Sequence, residues 1–382
     1  MADVRVDSDP ASRLAPGAAE AGSASPTLGT PAAAAPGTGG GRPPARLPSM
    51  WSQISARRVA SLAAVFAVCC WGVPTLFGTF WLQVIVTMVI YAAVALGLGV
   101  LVGRAGLFSL CQIPFVAVGA WTSLRLAQAF ELPFPVLLLA TGVVTSLVGI
   151  VVGLPALRLS GLYLALITLM AAGAITFLIA EVKLPNGGGG FWGYDRTIAS
   201  GVVSLDRPAV ATGDAAYFRY CLVVVSLLFL LVTWHVRGKP GRAWAAIRQS
   251  RVTAVASGVD TTLYKLWAFA LSAFITGVSG ALVAAGPGGV TTGQFPVEQS
   301  IMLLAVVLMG GVYSVWGAVV AAFLLRVLPR LLDQKLGLPS DALTVLFGVG
   351  ILQVLLTAPA GIIGDLEKLA KKLEAKVARS TA

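Results

Sequence analysis

Between Val59 and Gln128 the only charged residues are Arg104 and Arg125. From Leu132 to Ala180 the only one is Arg158, and from Leu266 to Leu325 the only one is Glu298. A helix crosses the bilayer core in about 20 apolar residues, so each block is too long for one crossing and must fold back. Without water, every backbone N–H and C=O needs an internal partner, which leaves helices or a closed barrel. Barrel strands alternate apolar and polar residues in short segments, and these blocks do not alternate. The sequence therefore predicts an all-α, polytopic integral membrane bundle. Composition agrees: 57% of the 382 residues are hydrophobic and 11% are charged, against about 25% charged in soluble domains.

The formal net charge of +11 sits beside apolar runs and in the tails, the pattern of positive-inside sorting. There is no soluble segment in which a nucleic acid could be held. Cys69, Cys70, Cys111 and Cys221 lack metal-ligand spacing and read as small apolar membrane residues, so no metal site and no disulfide is expected.

Residues 1–55 are rich in Ala, Pro, Gly and Ser, too poor in apolar surface to order themselves, and read as a disordered cytoplasmic tail. Arg57 and Arg58 precede an apolar run that reads as a retained first helix rather than a cleaved signal. A transmembrane domain over 56–360 is expected to hold ten crossings, at 59–78, 82–102, 109–128, 134–157, 162–181, 218–236, 266–285, 300–311, 315–332 and 340–358. The eighth is too short for a full crossing and reads as a broken or short helix buried among others. A basic tail, 361–382, follows. Counting crossings from the arginines near the amino terminus puts both termini and the basic loop 237–265 in the cytoplasm. The same count leaves Arg326, Arg330 and Lys335 outside, with the loop 182–217 and its string Pro185-Asn186-Gly187-Gly188-Gly189-Gly190. That string cannot be helix; it is a flexible external loop or part of a surface for a partner.

The loop 237–265 reads RGKPGRAWAAIRQSRVTAVASGVDTTLYK. Pro240-Gly241 is expected to break the preceding helix. Arg242 to Ser257 is expected to form one amphipathic helix with Ala243, Ile247, Ala254 and Val255 on one face, closed by a Gly258 cap. Such a helix can lie on the membrane surface or dock into a partner's groove.

The stretch GRAWAAIRQSRVTAVASGVDTTLYKLWAFALSAFITGVSGAL resembles the cytoplasmic coupling segment of branched-chain amino-acid ABC transporter permeases. Other segments agree in order: YAAVALGLGVLVGRAGLFSLCQIPFVAVGAWTS, GLPALRLSGLYLALITL, LPNGGGGFWG, LLAVVLMGGVYSVWGAVVAAFLL and APAGIIG. The resemblance covers about residues 80–365. It implies a permease subunit for branched-chain amino acids or a related small polar solute, multi-pass in the bacterial inner or plasma membrane. Its partners would be a second permease, a paralogue by the family's pattern, cytoplasmic ATP-binding subunits and an extracellular or periplasmic solute-binding protein. By the resemblance, 242–258 is the docking helix, with Arg242, Trp244, Ile247, Arg248, Arg251, Ala254 and Gly258 as coupling residues. This sequence departs from the family's pattern in three places. Val255 stands near the usual acidic residue of the coupling segment, YAAVALGLG lacks a usual Asn, and Leu110-Cys111-Gln112 replaces Leu-Gly-His.

Polar residues in or near the apolar spans are few. Ser109, Gln112, Thr168, Gln299 and Ser300 are the candidates for a solute path, set against the plainer reading of hydrogen bonding between helices. Gly277 and Gly280, among Ser272, Ala273, Ser279 and Ala281, fit close helix packing. Trp121, Trp267 and Trp316 fit membrane interfaces. An ion-coupled secondary transporter is the alternative, but such machines use intramembrane acidic or His relays, and His235, the single His, ends a helix beside the basic loop. Catalysis needs convergent nucleophile, base or metal ligands, so no enzyme and no bound cofactor are expected. Without a phosphate-binding Gly-Lys-Ser/Thr loop, any ATP would be used by the partner subunits.

Overall fold

The computed structural model describes residues 56–130, 132–156, 159, 161–188, 191–195 and 202–336, with isolated positions at 345, 348, 349, 361 and 362. The amino-terminal tail, and all but those isolated positions of the tenth crossing and the basic tail, lie outside the described residues.

The chain runs through α1 (Ala56–Leu76), α2 (Thr79–Gly99), α3 (Gln112–Phe130), α4 (Phe134–Ala156), α5 (Leu162–Val182) and α6 (Asp214–Arg237). It continues through α7 (Lys239–Gln249), α8 (Arg251–Ala256), α9 (Thr261–Ala284), α10 (Glu298–Gly310), α11 (Val315–Ala322) and α12 (Leu328–Leu336). π-turns at Val100–Ala105 and Phe323–Val327 extend α2 and join α11 to α12. Among the described residues there is no strand, only one antiparallel bridge between Val203 and Val290. Seven helical stretches among these residues are long and apolar enough to cross a membrane: 79–105, 134–155, 163–182, 214–237, 261–284, 292–310 and 315–335. The chain is a polytopic helical membrane protein. α3 falls short on polarity, because Gln112, Thr122, Ser123, Arg125 and Gln128 dilute it, yet most of it is buried in the bundle.

The turns sort onto two opposite ends. At one end, Gln83 near the start of α2 donates to Asp214 at the start of α6 (3.3 Å). There too Trp121 donates to the Lys183 carbonyl (2.9 Å), Arg125 to the Phe191 carbonyl (2.8 Å), and Val203 pairs with Val290. At the other end, Arg248 on α7 reaches the Gly103 carbonyl at the end of α2 and the Tyr313 hydroxyl in the α10–α11 turn.

The described part of the Gly-rich loop is held by hydrogen bonds. The Asn186 side chain accepts from Asp195 N (2.7 Å) and donates to Asp195 O (2.8 Å), while Asn186 N and Gly188 N both donate to Gly193 O (2.9 and 3.1 Å).

Helix α9 is the axis of the bundle, and small residues let α2, α3 and α4 close on it. A methyl at Gly119 would overlap the backbone of Gly277, one at Gly277 would overlap Thr145, and one at Gly280 would overlap the Val116 carbonyl. In lipid, contact of this kind is a main source of helix association.

Helix α10 has 13 residues, about 20 Å at 1.5 Å per residue, short of a core about 30 Å thick. The short 3₁₀ turn Thr292–Gln294 precedes it and the turn Gly311–Ser314 reverses it. Arg326 departs from the expected outside position. Its guanidinium lies 3.6 Å from the ring centroid of Tyr91, near the middle of the 79–105 span. The π-turn at 323–327 places the side chain there, and the ring face attracts the cation.

Candidate functional site

The segment expected to meet a partner is two helices rather than one. Ser250 adopts extended backbone (φ −159°, ψ 121°), and its hydroxyl accepts from Thr253 N at 3.3 Å, capping α8. A serine that satisfies a free N–H this way competes with helix continuation. The break before α7 falls at Gly238 rather than at Pro240-Gly241. Pro240 sits in the first turn of α7, where its missing N–H is harmless. Gly241 is required because a Cβ there would overlap the Val236 carbonyl. Gly258 takes the left-handed conformation (φ 78°) just past α8, the place of a helix-closing glycine.

The split decides which side chains face outward. Trp244 is fully buried, and its indole N–H donates to the Tyr264 carbonyl (2.8 Å). Ala243, Ile247 and Ala254 are buried as well. Of the expected coupling residues, Trp244, Ile247 and Ala254 therefore hold the helices to their own chain and are not presented to a partner. Val255, expected on one face with Ala243, Ile247 and Ala254, is 57% exposed where those three are buried, and Val252 is 81% exposed. Arg242, Arg251 and Gly258 are exposed with them.

Arg248 is exposed as a residue, but its head group is engaged within the chain. One guanidinium nitrogen donates to the Gly103 carbonyl (2.7 Å) and another to the Tyr313 hydroxyl. The guanidinium carbon lies 4.4 Å from the Tyr313 ring centroid. Arg104 donates to the Tyr313 carbonyl (2.9 Å).

The five candidate path residues fall into different surroundings. Gln112 joins three helices: its amide donates to Ser272 Oγ (3.0 Å), its oxygen accepts from Thr276 Oγ1 (2.8 Å), and Ser272 Oγ donates to the Gly97 carbonyl (2.8 Å). Thr168 Oγ1 accepts from Leu110 N (3.0 Å) and donates to the Ala165 carbonyl (3.0 Å), fixing the non-helical connector before α3. The fully buried Ser109 lies in that connector, its hydroxyl 3.5 Å from Cys111 N. Gln299 is half-buried in the first turn of α10. Ser300, beside it, is 1% exposed, and its hydroxyl has no hydrogen-bond partner among the described residues. Of the five, Ser109, Gln112 and Thr168 come together at the connector and the start of α3. Glu298 is exposed at the start of α10.

Sequence reasoning missed Tyr313, Arg104, Val252 and Thr176, whose hydroxyl is also buried without a partner among the described residues. The order Gly-Val-Tyr-Ser in a short turn carried no signal of its own. Val252 could have been found had Ser250 been read as a cap. Among the described residues, no cluster of His, Cys, Asp or Glu could hold a metal ion.

A family model for the permease component of branched-chain amino acid transport systems matches residues 80–355. The chain is similar to the high-affinity branched-chain amino acid transport system permease protein LivM of Salmonella typhimurium, with 32% identity over 256 residues, 62% of this chain and 60% of the relative. It is also similar to LivM of Escherichia coli, with 31% identity over 256 residues and the same shares. The match thus spans 60% of the length of these curated relatives. No solved structure matches the chain.

Proposed function

Because this chain belongs to the permease-component family of branched-chain amino acid transport systems, we propose that it forms the membrane path of an ATP-driven importer for branched-chain amino acids or a related small polar solute. The family is one of transport proteins rather than enzymes. In this reading both termini and α7–α8 face the cytoplasm, where separate ATP-binding subunits grip α8. A second permease completes the path, and an extracellular binding protein delivers the solute. This chain binds no cofactor of its own.

The observation that carries the reading is the α7–α8 pair. It is anchored by Trp244 and Ile247 and presents Val252 and Val255 outward on α8, where Arg251 precedes Val252, while Arg242 is exposed on α7. An exposed apolar pair beside cations suits a groove with an apolar floor and an acidic rim. On the solute side, Ser300 is the favoured contact, since a buried hydroxyl without a partner among the described residues is open to a solute's polar group. Ser109, Thr168 and Gln299 remain neighbours of the path in this proposal, and Gln112 serves packing.

The test is reconstitution of the purified chain, alone and with its ATP-binding subunits and second permease, into liposomes with the binding protein added. Uptake of leucine, isoleucine or valine should require ATP and the partners, and the chain alone should hydrolyse no ATP. Hydrolysis by the chain alone, or uptake driven by an ion gradient without ATP, would contradict the proposal. The second result would favour an ion-coupled transporter.

A further inference from the structure

Four elements meet at the end of the molecule that carries α7. Helix α2 finishes in the π-turn Val100–Ala105, and Gly106 ends it in the left-handed conformation (φ 70°). Gly103 packs so closely on Val312 that a Cβ would overlap the Val312 carbonyl. Val312 and Tyr313 form the turn from the short α10 into α11. Across this junction lies Arg248 of α7. Its aliphatic carbons pack toward Gly106, its guanidinium donates to the Gly103 carbonyl at 2.7 Å, and it also donates to the Tyr313 hydroxyl. Arg104 reinforces the same turn by donating to the Tyr313 carbonyl.

We propose that Arg248 is a positioning residue that ties α7 to the α10–α11 turn through Gly103 and Tyr313, so that displacement of α7–α8 is carried to the short helix bearing Ser300. The inference rests on the proposed function and adds to it a route between two parts of the chain. It also divides the arginines of this loop. Arg242 and Arg251 are available to a partner, whereas the planar donor fork of Arg248 is occupied within the chain. A point charge cannot reproduce that fork: lysine keeps the charge but cannot serve the Gly103 carbonyl and the Tyr313 hydroxyl in the same geometry. The tie has two separable halves, since Tyr313→Phe keeps the ring beneath the guanidinium and removes only the hydroxyl.

The experiment uses the full complex in liposomes. It compares wild type, Arg248→Lys, Tyr313→Phe, the double variant and Arg251→Ala for membrane recovery, co-purification of the ATP-binding subunits, ATP hydrolysis and solute uptake. Wild-type uptake in the same preparation separates failure of the tie from failure of the proposed function. Arg248→Lys is expected to keep recovery, co-purification and hydrolysis while uptake per ATP falls about tenfold, the size of effect expected when roughly 1.4 kcal/mol of coupling is lost. Tyr313→Phe should lower the same ratio, and the double variant should be no worse than Arg248→Lys. Arg251→Ala should weaken co-purification with uptake per ATP unchanged. Loss of co-purification in Arg248→Lys at unchanged uptake per ATP would make Arg248 a docking contact and overturn the tie. An unchanged ratio in both Arg248→Lys and Tyr313→Phe would overturn it as well.

Discussion

Trp244 donates its indole N–H to the main-chain carbonyl of Tyr264, 2.8 Å away, and so fastens the start of the α7–α8 excursion to the helix that follows it. The bond spans a loop that is otherwise basic and largely exposed, with Ile247 and Ala254 buried. It makes α7 part of the bundle's own packing and leaves α8 as the projecting element.

Replacing Trp244 is therefore a matter of stability before it is one of docking. Trp244→Ala removes a large, fully buried side chain, and losses of this kind cost about 3–5 kcal/mol. Trp244→Phe keeps most of the volume and forfeits the hydrogen bond, about 1 kcal/mol. Thermal unfolding in detergent should rank wild type above Trp244→Phe and Trp244→Ala last. An unchanged midpoint in Trp244→Ala would show that the ring is not buried in the membrane-extracted protein.

Docking should instead respond at α8. Val252→Asp or Val255→Asp places a carboxylate on an exposed site, so membrane recovery should stay at the wild-type level while co-purification of ATP-binding subunits falls about tenfold or more. Ile247→Asp should lower recovery itself, because it buries an unpaired charge. The pair of measurements, yield and pull-down, distinguishes the two classes.

The axis around α9 predicts opposite outcomes for two glycines. Gly277→Ala puts a methyl into Thr145, and forced overpacking costs about 1–3 kcal/mol. Gly173 in α5 has nothing near its missing Cβ, so Gly173→Ala should be neutral or stabilising by up to about 1 kcal/mol from helix propensity. Unfolding midpoints of the two variants should move in opposite directions, or the second should not move.

Ser300 and Gln112 differ in the same way at the level of function. Ser300→Ala removes a buried hydroxyl that has no partner among the described residues, so stability should hold or rise while the concentration for half-maximal uptake increases several-fold. Gln112→Ala breaks the contacts with Ser272 and Thr276 and should lower stability by about 1–3 kcal/mol. Paired uptake and unfolding curves give both readings.

The helical membrane architecture was legible in the long uncharged runs because lipid leaves the backbone few options. The close packing of Gly277 and Gly280 was legible from small residues clustered in an apolar span. The split at Ser250 was not, since Arg242–Ser257 has the composition of one helix and the competing cap is a single local hydrogen bond. That miss set Val255 on one face with Ala243, Ile247 and Ala254 and hid Val252. Nor was the role of Arg248 legible. In sequence it is one of several inside-positive charges, and its partners Gly103 and Tyr313 lie 145 and 65 residues away. Arg326 was misplaced because counting charges in loops cannot foresee a π-turn that lays a cation on Tyr91.

In the proposed importer a nucleotide-consuming partner grips α8 while the rest of the bundle faces lipid or another permease. A photo-crosslinking residue placed at Val252 in the working complex tests it most directly, with one at the exposed Trp234 of α6 as the control. During ATP turnover the Val252 probe should join the chain to an ATP-binding subunit and the Trp234 probe should not. Capture of lipid alone at Val252 would contradict the account.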